Sequence, residues 1–180
     1  RQQPFVPRTT FAVAGGTKCQ IYVPQFAARG GEALPSWKPK RELPSGQYPY
    51  YYLTFIPAVH KRNSTQNNPI LHEMFPTNSV IIPRALAATK GIREGDMVRF
   101  WSRTGELVLP AHLTETLRPD CILVAHGFGH RSRLLTQAGG VGVRDGDLIA
   151  GQAMQDVVRA GNFGGSACIM EAVVNLEKAG

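Results

Sequence analysis

The chain has 180 residues, 43% of them hydrophobic, and carries 20 Lys and Arg against 13 Asp and Glu, a formal net charge of +7. This is enough for one compact domain with a sizeable core, and no apolar run reaches the roughly 18 residues of a membrane-spanning helix. The charge could suit a phosphate-bearing ligand, anionic lipid or nucleic acid. Because the basic residues form no polybasic tail and no aromatic-interleaved motif, we expect no nucleic-acid partner.

The first 49 residues form a poorly periodic segment that is rich in proline and glycine. Within it, residues 17–23 (T-K-C-Q-I-Y-V) favour one short strand, whereas residues 29–39 cannot hold a long helix. Because the chain begins at Arg1 rather than at Met, we expect it to be part of a larger protein. Residues 1–49 are then a lead-in from a preceding domain, and residues 50–180 are the compact domain.

The compact part begins with a strand that runs into a polar loop. Aromatic and β-branched residues between Tyr50 and Ile56 favour a buried strand. Every residue from His60 to Asn68 then carries a hydrogen-bonding or charged group. So many donors and acceptors at the end of a strand are typical of a ligand loop on a rigid scaffold, with a solvated loop of turn formers as the alternative.

The rest of the sequence predicts short elements joined by turns. Met74, Phe75 and Trp101 are interpreted as core residues. Short strands with long ligand-type loops favour a mainly β fold, a closed β-barrel with short helices. In chain order we predict a helical turn at 71–75, a strand at 78–82, a helix at 84–90 ended by Gly91, a strand at 97–102, a tight connection at 103–105, and strands at 106–113, 121–125 and 167–176.

The strand at 121–125 also runs into a polar, glycine-rich loop, H-G-F-G-H at 126–130. The spacing of His126 and His130 would place both imidazoles on one face of a helix and so invites a metal site. Gly127 and Gly129 argue against a helix, and no carboxylate accompanies the pair. Hydrogen bonding to a cofactor or substrate, or a structural role, is therefore favoured over metal binding.

The three cysteines, Cys19, Cys121 and Cys168, lie far apart and include no C-x-x-C pair. This argues against a disulfide scaffold, an iron–sulfur cluster or a structural zinc site within the chain. Cys121 and Cys168 lie in apolar runs and are predicted to be buried as small hydrophobic residues.

The order of these pieces resembles the C-terminal domain of the dimethyl sulfoxide reductase family of molybdopterin-dependent oxidoreductases. Four stretches carry the resemblance: T-K-C-Q-I-Y at 17–22, S-T-Q-N-N-P at 64–69, residues 85–98 with G-I-R-E-G-D-M-V at their end, and residues 121–130 ending in H-G-F-G-H. The resemblance implies a six-stranded double-psi β-barrel with short helices. It also implies that the domain closes over a bis(molybdopterin guanine dinucleotide) cofactor that holds molybdenum or tungsten.

Under this resemblance the two polar loops grip the cofactor, and no residue of the chain is expected to be catalytic or to bind the metal. Amides suit the alternating donors and acceptors of the pterin, hydroxyls suit phosphate oxygens, and Arg62 and Arg131 could add charge-assisted hydrogen bonds. Relatives often carry asparagines where this chain has Arg144, Gly146 and Asp147, which puts cofactor contacts there in doubt. The predicted cofactor-binding residues are His60, Arg62, Ser64, Thr65, Gln66, Asn67, Asn68, His126, Gly127, His130 and Asn162.

Within the family, the N-N-P and H-G-F-G-H pattern looks most like the catalytic polypeptides that reduce thiosulfate, polysulfide or tetrathionate, and arsenate respiratory reductases are similar. This implies an enzyme of anaerobic respiration in which the present domain is not catalytic alone. It further implies an iron–sulfur cluster only in the missing N-terminal part, and as partners the rest of the catalytic subunit, an iron–sulfur electron-transfer subunit, and a membrane anchor subunit. The implied location is periplasmic or the outer face of the cytoplasmic membrane of a prokaryote.

Two other functions compete with this interpretation. A stand-alone double-psi barrel could act as a binding module for protein or nucleic acid, which the net charge of +7 would suit. A small hydrolase using one of the histidines ranks last, because no Ser or Cys nucleophile stands in a recognisable context.

Overall fold

A computed structural model describes residues 21–34, 36–37, 39–40, 42–150 and 172–180, and these fall into two compact units. The first unit contains helix α1 (Pro24–Ala27). The Val23 N–H, directly before this helix, donates to the carbonyl of Ala33, which follows it, at 2.8 Å. The strand expected over residues 17–23 is wrong at its described end, residues 21–23, because Pro24 cannot donate to a strand ladder and starts a helical turn. The other residues of that prediction lie outside the described part.

The second unit is a closed barrel of six strands in the order β1-β5-β2-β4-β3-β6, with β6 pairing back onto β1. The pairs β1–β5 and β2–β4 are parallel and the other pairs are antiparallel. The predicted six-stranded double-psi β-barrel is thus confirmed. The strands are β1 Tyr50–Phe55, β2 Val80–Pro83, β3 Met97–Trp101, β4 Glu106–Thr114, β5 Cys121–Ala125 and β6 Val173–Lys178.

The strand order has an internal two-fold relationship that no sequence repeat reveals. Advancing each strand by three positions turns the parallel pair β1–β5 into the parallel pair β4–β2. The same shift turns the antiparallel pair β3–β4 into β6–β1. The barrel is therefore built from two interlocked halves, β1–β3 and β4–β6, each of which needs the other to complete its pairing.

The strands form because apolar side chains alternate towards the barrel interior. In β4, Leu107, Leu109 and Ala111 are buried, as the alternation predicted. Tyr52 and Phe100 are completely buried, and their ring centroids lie 6.3 Å apart in the centre of the core. The remaining fully enclosed apolar side chains include Val80, Ile82, Val98, Ile122, Val124 and Val174.

Short helices cover parts of the barrel: α2 (Pro69–Met74), α3 (Arg84–Thr89) and a 3₁₀ helix (Asp145–Leu148). Gly91 ends the α3 region with a φ of 65°, as expected of a left-handed cap. The expectation that Met74 is a core residue is wrong, since α2 lies on the surface and leaves Met74 63% exposed. Among the described residues, no helix is long and apolar enough to cross a membrane.

The pairing of β1 with β5 positions both polar loops. Parallel register runs from Tyr51 opposite Cys121 to Phe55 opposite Ala125. The His126 N–H continues the ladder by donating to the Phe55 carbonyl at 2.8 Å. Because neighbouring parallel strands end on the same side, residues 60–68 and residues 126–130 leave the barrel at one end, side by side.

Candidate functional site

The two polar loops meet backbone to backbone at Gly127, which has a φ of 101°. A Cβ added to this glycine would lie 2.9 Å from the carbonyl carbon of Arg62 and 2.9 Å from the nitrogen of Asn63. No side chain fits there, and the left-handed backbone also favours glycine. Gly127, the first glycine of H-G-F-G-H, therefore allows the second loop to lie against the first.

A cavity of about 620 Å³ opens where the loops meet the 3₁₀ helix. Gly129, with a φ of 77°, forms part of its wall, and a Cβ on this residue would lie 2.4 Å from the nitrogen of Arg144. Close approach of three backbone segments thus shapes the cavity. Its lining consists of Arg62, Asn63, residues 126–131, Arg144, Asp145 and Gly146.

His60 and Thr65 shape the first loop from within. His60 is 4% exposed, and its Nε2 lies 2.9 Å from the Phe75 carbonyl oxygen. Because a carbonyl only accepts, Nε2 carries the proton, and Nδ1 can accept from the Thr65 hydroxyl at 3.3 Å. Phe75 and Phe128 approach the imidazole edge-on, with centroids at 6.1 and 5.9 Å. Both predicted cofactor residues have internal partners in this structure.

Asn67 and Asn68 also make hydrogen bonds within the chain. The Oδ1 of Asn67 accepts from the backbone N–H groups of Gln137 and Ala138 at 2.9 and 3.2 Å, which ties the first loop to a third segment. The Oδ1 of Asn68 accepts from the first turn of α2 and so caps that helix. No hydrogen bond joins the amide nitrogen of either side chain to another described residue.

Gln66 is the unusual member of the first loop. Its side chain is 1% exposed, yet neither Nε2 nor Oε1 has a hydrogen-bond partner among the described residues. Its Nε2 lies 3.2 Å from the position that a Cβ of Gly127 would take, so the amide sits directly behind the loop contact. In the second loop, Nε2 of His130 is likewise buried without a partner in the described part of the chain. Unpaired buried polar groups are rare and costly, and two of them flank the cavity.

His126 is held by a residue that sequence reasoning missed. Its Nδ1 lies 2.7 Å from Oδ2 of Asp145, and the other carboxylate oxygen accepts from the Gly127 N–H at 3.2 Å. The Asp145 side chain is 3% exposed. The sequence contains this carboxylate between Arg144 and Gly146, where cofactor contacts were in doubt. Nothing in the neighbouring residues indicates that it faces His126.

Tyr52 supports the same corner from the core. Its hydroxyl donates to the Asp145 carbonyl at 3.2 Å. Burial, and secondarily the charge of Asp145, raises the pKa of Tyr52 far above its usual value, so the phenol remains a neutral donor. The barrel core therefore fixes the start of the 3₁₀ helix against the loop.

Positive charge is concentrated at this end of the barrel. Lys61, Arg62, Arg131 and Arg133 are exposed, and none forms an ion pair with a described residue. On the barrel side, by contrast, Arg99 bonds Glu106 at 2.7 Å and Lys178 bonds Asp96 at 2.8 Å. The unpaired cations favour anions at the cavity mouth, and Arg62 and Arg131 line the cavity itself.

The other predicted site residues are less defined. Ser64 is exposed in the first loop, and Asn162 lies outside the described residues. Over the described ranges, no group of three or more His, Cys, Asp or Glu side chains could hold a metal ion. Cys121 is buried and free, as predicted, whereas Cys19 and Cys168 are not described. The individual cofactor-contact assignments remain predictions.

Comparison with known proteins identifies the class. Residues 50–163 match the family described as Molydopterin dinucleotide binding domain. The chain belongs to this family, which confirms the resemblance to the dimethyl sulfoxide reductase family. In fold it is similar to acetylene hydratase from Pelobacter acetylenicus, with a TM-score of 0.69 at 13% identity, covering 88% of this chain and 23% of that one.

Three curated relatives are similar in sequence. The thiosulfate reductase molybdopterin-containing subunit of Salmonella typhimurium is 33% identical over 55% of this chain and 13% of its own length. A tetrathionate reductase polypeptide of the same organism is 30% identical over 57% of this chain and 11% of its own. The arsenate respiratory reductase molybdopterin-containing subunit of Chrysiogenes arsenatis is 29% identical over 58% and 14%. The matched region thus spans only about an eighth of each relative.

The residues of the site fit a molybdopterin dinucleotide. The amide of Gln66 and Nε2 of His130, neither of which has a partner in the described part of the chain, offer hydrogen bonds to a polar heterocycle. The unpaired Arg62 and Arg131 suit phosphate groups. The cofactor of this domain is therefore a molybdopterin dinucleotide, in agreement with the predicted bis(molybdopterin guanine dinucleotide) with molybdenum or tungsten.

Proposed function

We propose that this chain is the cofactor-gripping domain of a molybdopterin-dependent oxidoreductase catalytic subunit that reduces an oxidised sulfur compound, with arsenate as the other candidate. The observation that carries cofactor gripping is the buried amide of Gln66, which has no partner among the described residues. Family membership over residues 50–163 supports the same function. Membership of this family favours cofactor binding over a stand-alone binding module.

In this proposal the chain binds and orients, and it does no chemistry of its own. When bound, the cofactor supplies a metal centre that exchanges electrons with the substrate. Gln66 offers its amide N–H donors and its carbonyl acceptor to the pterin, while Asn67 holds the first loop against the backbone at Gln137 and Ala138. Arg62 and Arg131 neutralise phosphate charge, and shielding from water would make each such bond worth roughly 1.5–3 kcal/mol.

The test of cofactor gripping is pterin content in the full-length enzyme carrying Gln66→Leu. Leucine has nearly the same volume but no polar atoms, so we expect a lower ratio of pterin to polypeptide. Gln25→Leu is the matched control, since Gln25 is exposed in α1. Equal pterin content in wild type and Gln66→Leu would refute the role of this residue. A wild-type enzyme that lacks pterin and binds nucleic acid with steep salt dependence would favour the binding module instead.

Two observations support the proposed substrate class. The relatives are named for thiosulfate, tetrathionate and arsenate, all of which are oxyanions. Arg62 and Arg131 line the cavity, exposed Lys61 and Arg133 lie one and two residues from them in the sequence, and none of the four forms an ion pair with a described residue, so these cations raise the local concentration of anions. We expect the full-length enzyme to reduce at least one of thiosulfate, tetrathionate and arsenate when given a low-potential electron donor. Turnover of none of them, together with turnover of a neutral oxide such as dimethyl sulfoxide, would contradict this substrate class.

The assembly is part of the proposal. The family resemblance supports an iron–sulfur cluster in the remainder of the catalytic polypeptide, an iron–sulfur electron-transfer subunit, and a membrane anchor, which together would bring electrons to the cofactor. The proposed location is the periplasm or the outer face of the cytoplasmic membrane. Purification of the tagged enzyme from gently solubilised membranes should co-purify both partners, and protease added to intact spheroplasts should digest the enzyme. Recovery of the enzyme alone from the cytoplasm would contradict both points.

A further inference from the structure

The pair Asp145–His126 is more buried than a surface ion pair, and its carboxylate has more hydrogen bonds. The carboxylate is 3% exposed and uses both oxygens: one faces Nδ1 of His126 at 2.7 Å and the other accepts from the Gly127 N–H at 3.2 Å. Behind it, the Tyr52 hydroxyl bonds the Asp145 carbonyl. Burial and these hydrogen bonds therefore hold the carboxylate towards His126 and keep it away from bulk water.

This arrangement determines which nitrogen of His126 carries a fixed proton. An ionised carboxylate only accepts, so Nδ1 donates and keeps its proton. Nε2 is then the ring atom with a free lone pair. The His126 side chain lines the cavity and is 37% exposed, and Nε2 has no partner among the described residues.

We propose that Asp145 is a positioning residue that fixes the Nδ1–H tautomer of His126, so that Nε2 accepts a hydrogen bond from an N–H group of the pterin. The proposal rests on the proposed function, because it takes the pterin as the occupant of the cavity. Pterins carry amino and ring N–H donors along one edge, and His126 is the imidazole whose unpartnered nitrogen is exposed within the described wall of the cavity. Asp145 acts only through His126 and touches no ligand itself.

Asp145→Asn separates this role from a purely structural one. The new amide oxygen can still accept from the Gly127 N–H, and the new amide N–H can donate to Nδ1 if the imidazole proton moves to Nε2. Both internal hydrogen bonds then survive, so the fold is preserved. Nε2 has become a donor, however, and it meets the pterin donor with an N–H of its own.

The measurement is the rate at which purified full-length holoenzyme releases pterin at a fixed elevated temperature, followed by fluorescence of the oxidised pterin. We expect Asp145→Asn to release pterin roughly 10-fold faster, the change that one lost hydrogen bond corresponds to. Asp120→Asn is the control. Asp120 directly precedes β5, and His126 directly follows it, so the control removes one carboxylate at the other end of the same strand.

A second variant keeps the test decisive if Asp145→Asn does not fold. In His126→Asn, an amide N–H replaces the Nδ1–H towards Asp145, and no atom replaces Nε2. It should release pterin as fast as Asp145→Asn, and the double variant should be no faster than either. Release at the wild-type rate from His126→Asn, or additive effects in the double variant, overturns the role of Asp145. A wild-type enzyme without pterin would instead overturn the proposed function, so the two failures are distinguishable.

Discussion

Asn78 and Val143 form a closed pair of hydrogen bonds between a side chain and the backbone. Nδ2 of Asn78 donates to the Val143 carbonyl at 2.9 Å, and the Val143 N–H donates to Oδ1 of Asn78 at 3.0 Å. Nδ2 also lies 3.3 Å from the carbonyl of Ala125, the last residue of β5. A single completely buried amide thus joins the end of β5 to the segment that leads into Asp145.

Asn78→Ala should destabilise the protein by about 3 kcal/mol, because it removes three hydrogen bonds from a buried amide to backbone groups of the half-buried Val143 and the buried Ala125. The check is the midpoint of urea unfolding, compared with Asn63→Ala, since Asn63 is exposed and has no hydrogen bond to a described residue. An equal midpoint for the two variants would show that the pairing with Val143 contributes nothing to stability.

Gly129→Ala should destabilise the loop more than Gly140→Ala does. Gly129 has a φ of 77° and Gly140 a φ of 76°. Each substitution therefore costs roughly 1–2 kcal/mol of backbone strain. At Gly129, a Cβ would in addition lie 2.4 Å from the Arg144 nitrogen, whereas nothing lies within 4 Å of a Cβ at Gly140. Thermal unfolding of both variants measures the difference. Equal melting temperatures would show that the loop at Gly129 does not pack closely against the Arg144 backbone.

Gln66→Leu should have opposite effects on the cofactor-free and cofactor-bound forms. Without cofactor, removal of a buried unpaired amide should stabilise the protein by about 1–2 kcal/mol. Urea unfolding of full-length protein from a host that cannot make the pterin measures this gain. A loss of stability in the cofactor-free form would indicate that Gln66 has a partner within the protein itself.

Glu94 should give the protein an acid-dependent component of stability. The Leu113 N–H, at 2.7 Å, and His112, at 2.9 Å, lower the pKa of the Glu94 carboxyl, the backbone hydrogen bond being the larger cause. A folded-state pKa below the unfolded value of about 4.3 means that the ionised carboxylate stabilises above that pH, and that this is lost as the pH falls through the folded pKa.

Glu94→Gln should therefore unfold at lower urea than wild type at pH 7, and the gap should narrow as the pH falls through the folded-state pKa of Glu94. The magnitude is small because the side chain is 56% exposed. Glu73→Gln is the control, since Glu73 is an exposed carboxylate of α2 without an ion pair among the described residues. A gap that widens towards acid pH would reverse the assigned sign.

Much of the site could be located from the sequence because its elements are local. Apolar runs that end in polar loops occur at residues 50–68 and 121–130, and both runs are strands that end at the same side of the barrel. The role of single residues was harder to predict. Asn68 caps a helix and His60 bonds a backbone carbonyl, and each does so with the same polar groups that a ligand would use. A donor or acceptor in a sequence does not reveal which partner it will find.

Alternation of apolar residues and the conformational freedom of glycine act over a few residues, so the sequence by itself indicated most of the barrel strands and the two polar loops. The ordered resemblance of four stretches indicated the family. Only the tertiary structure decided which groups are paired. The parallel register of β1 with β5 places Gly127 against Arg62 and Asn63, and the return of the chain brings Asp145 to His126 across 19 residues. Burial then leaves the amide of Gln66 without a partner among the described residues, which depends on its packing behind Gly127 of the second loop and not on any local pattern.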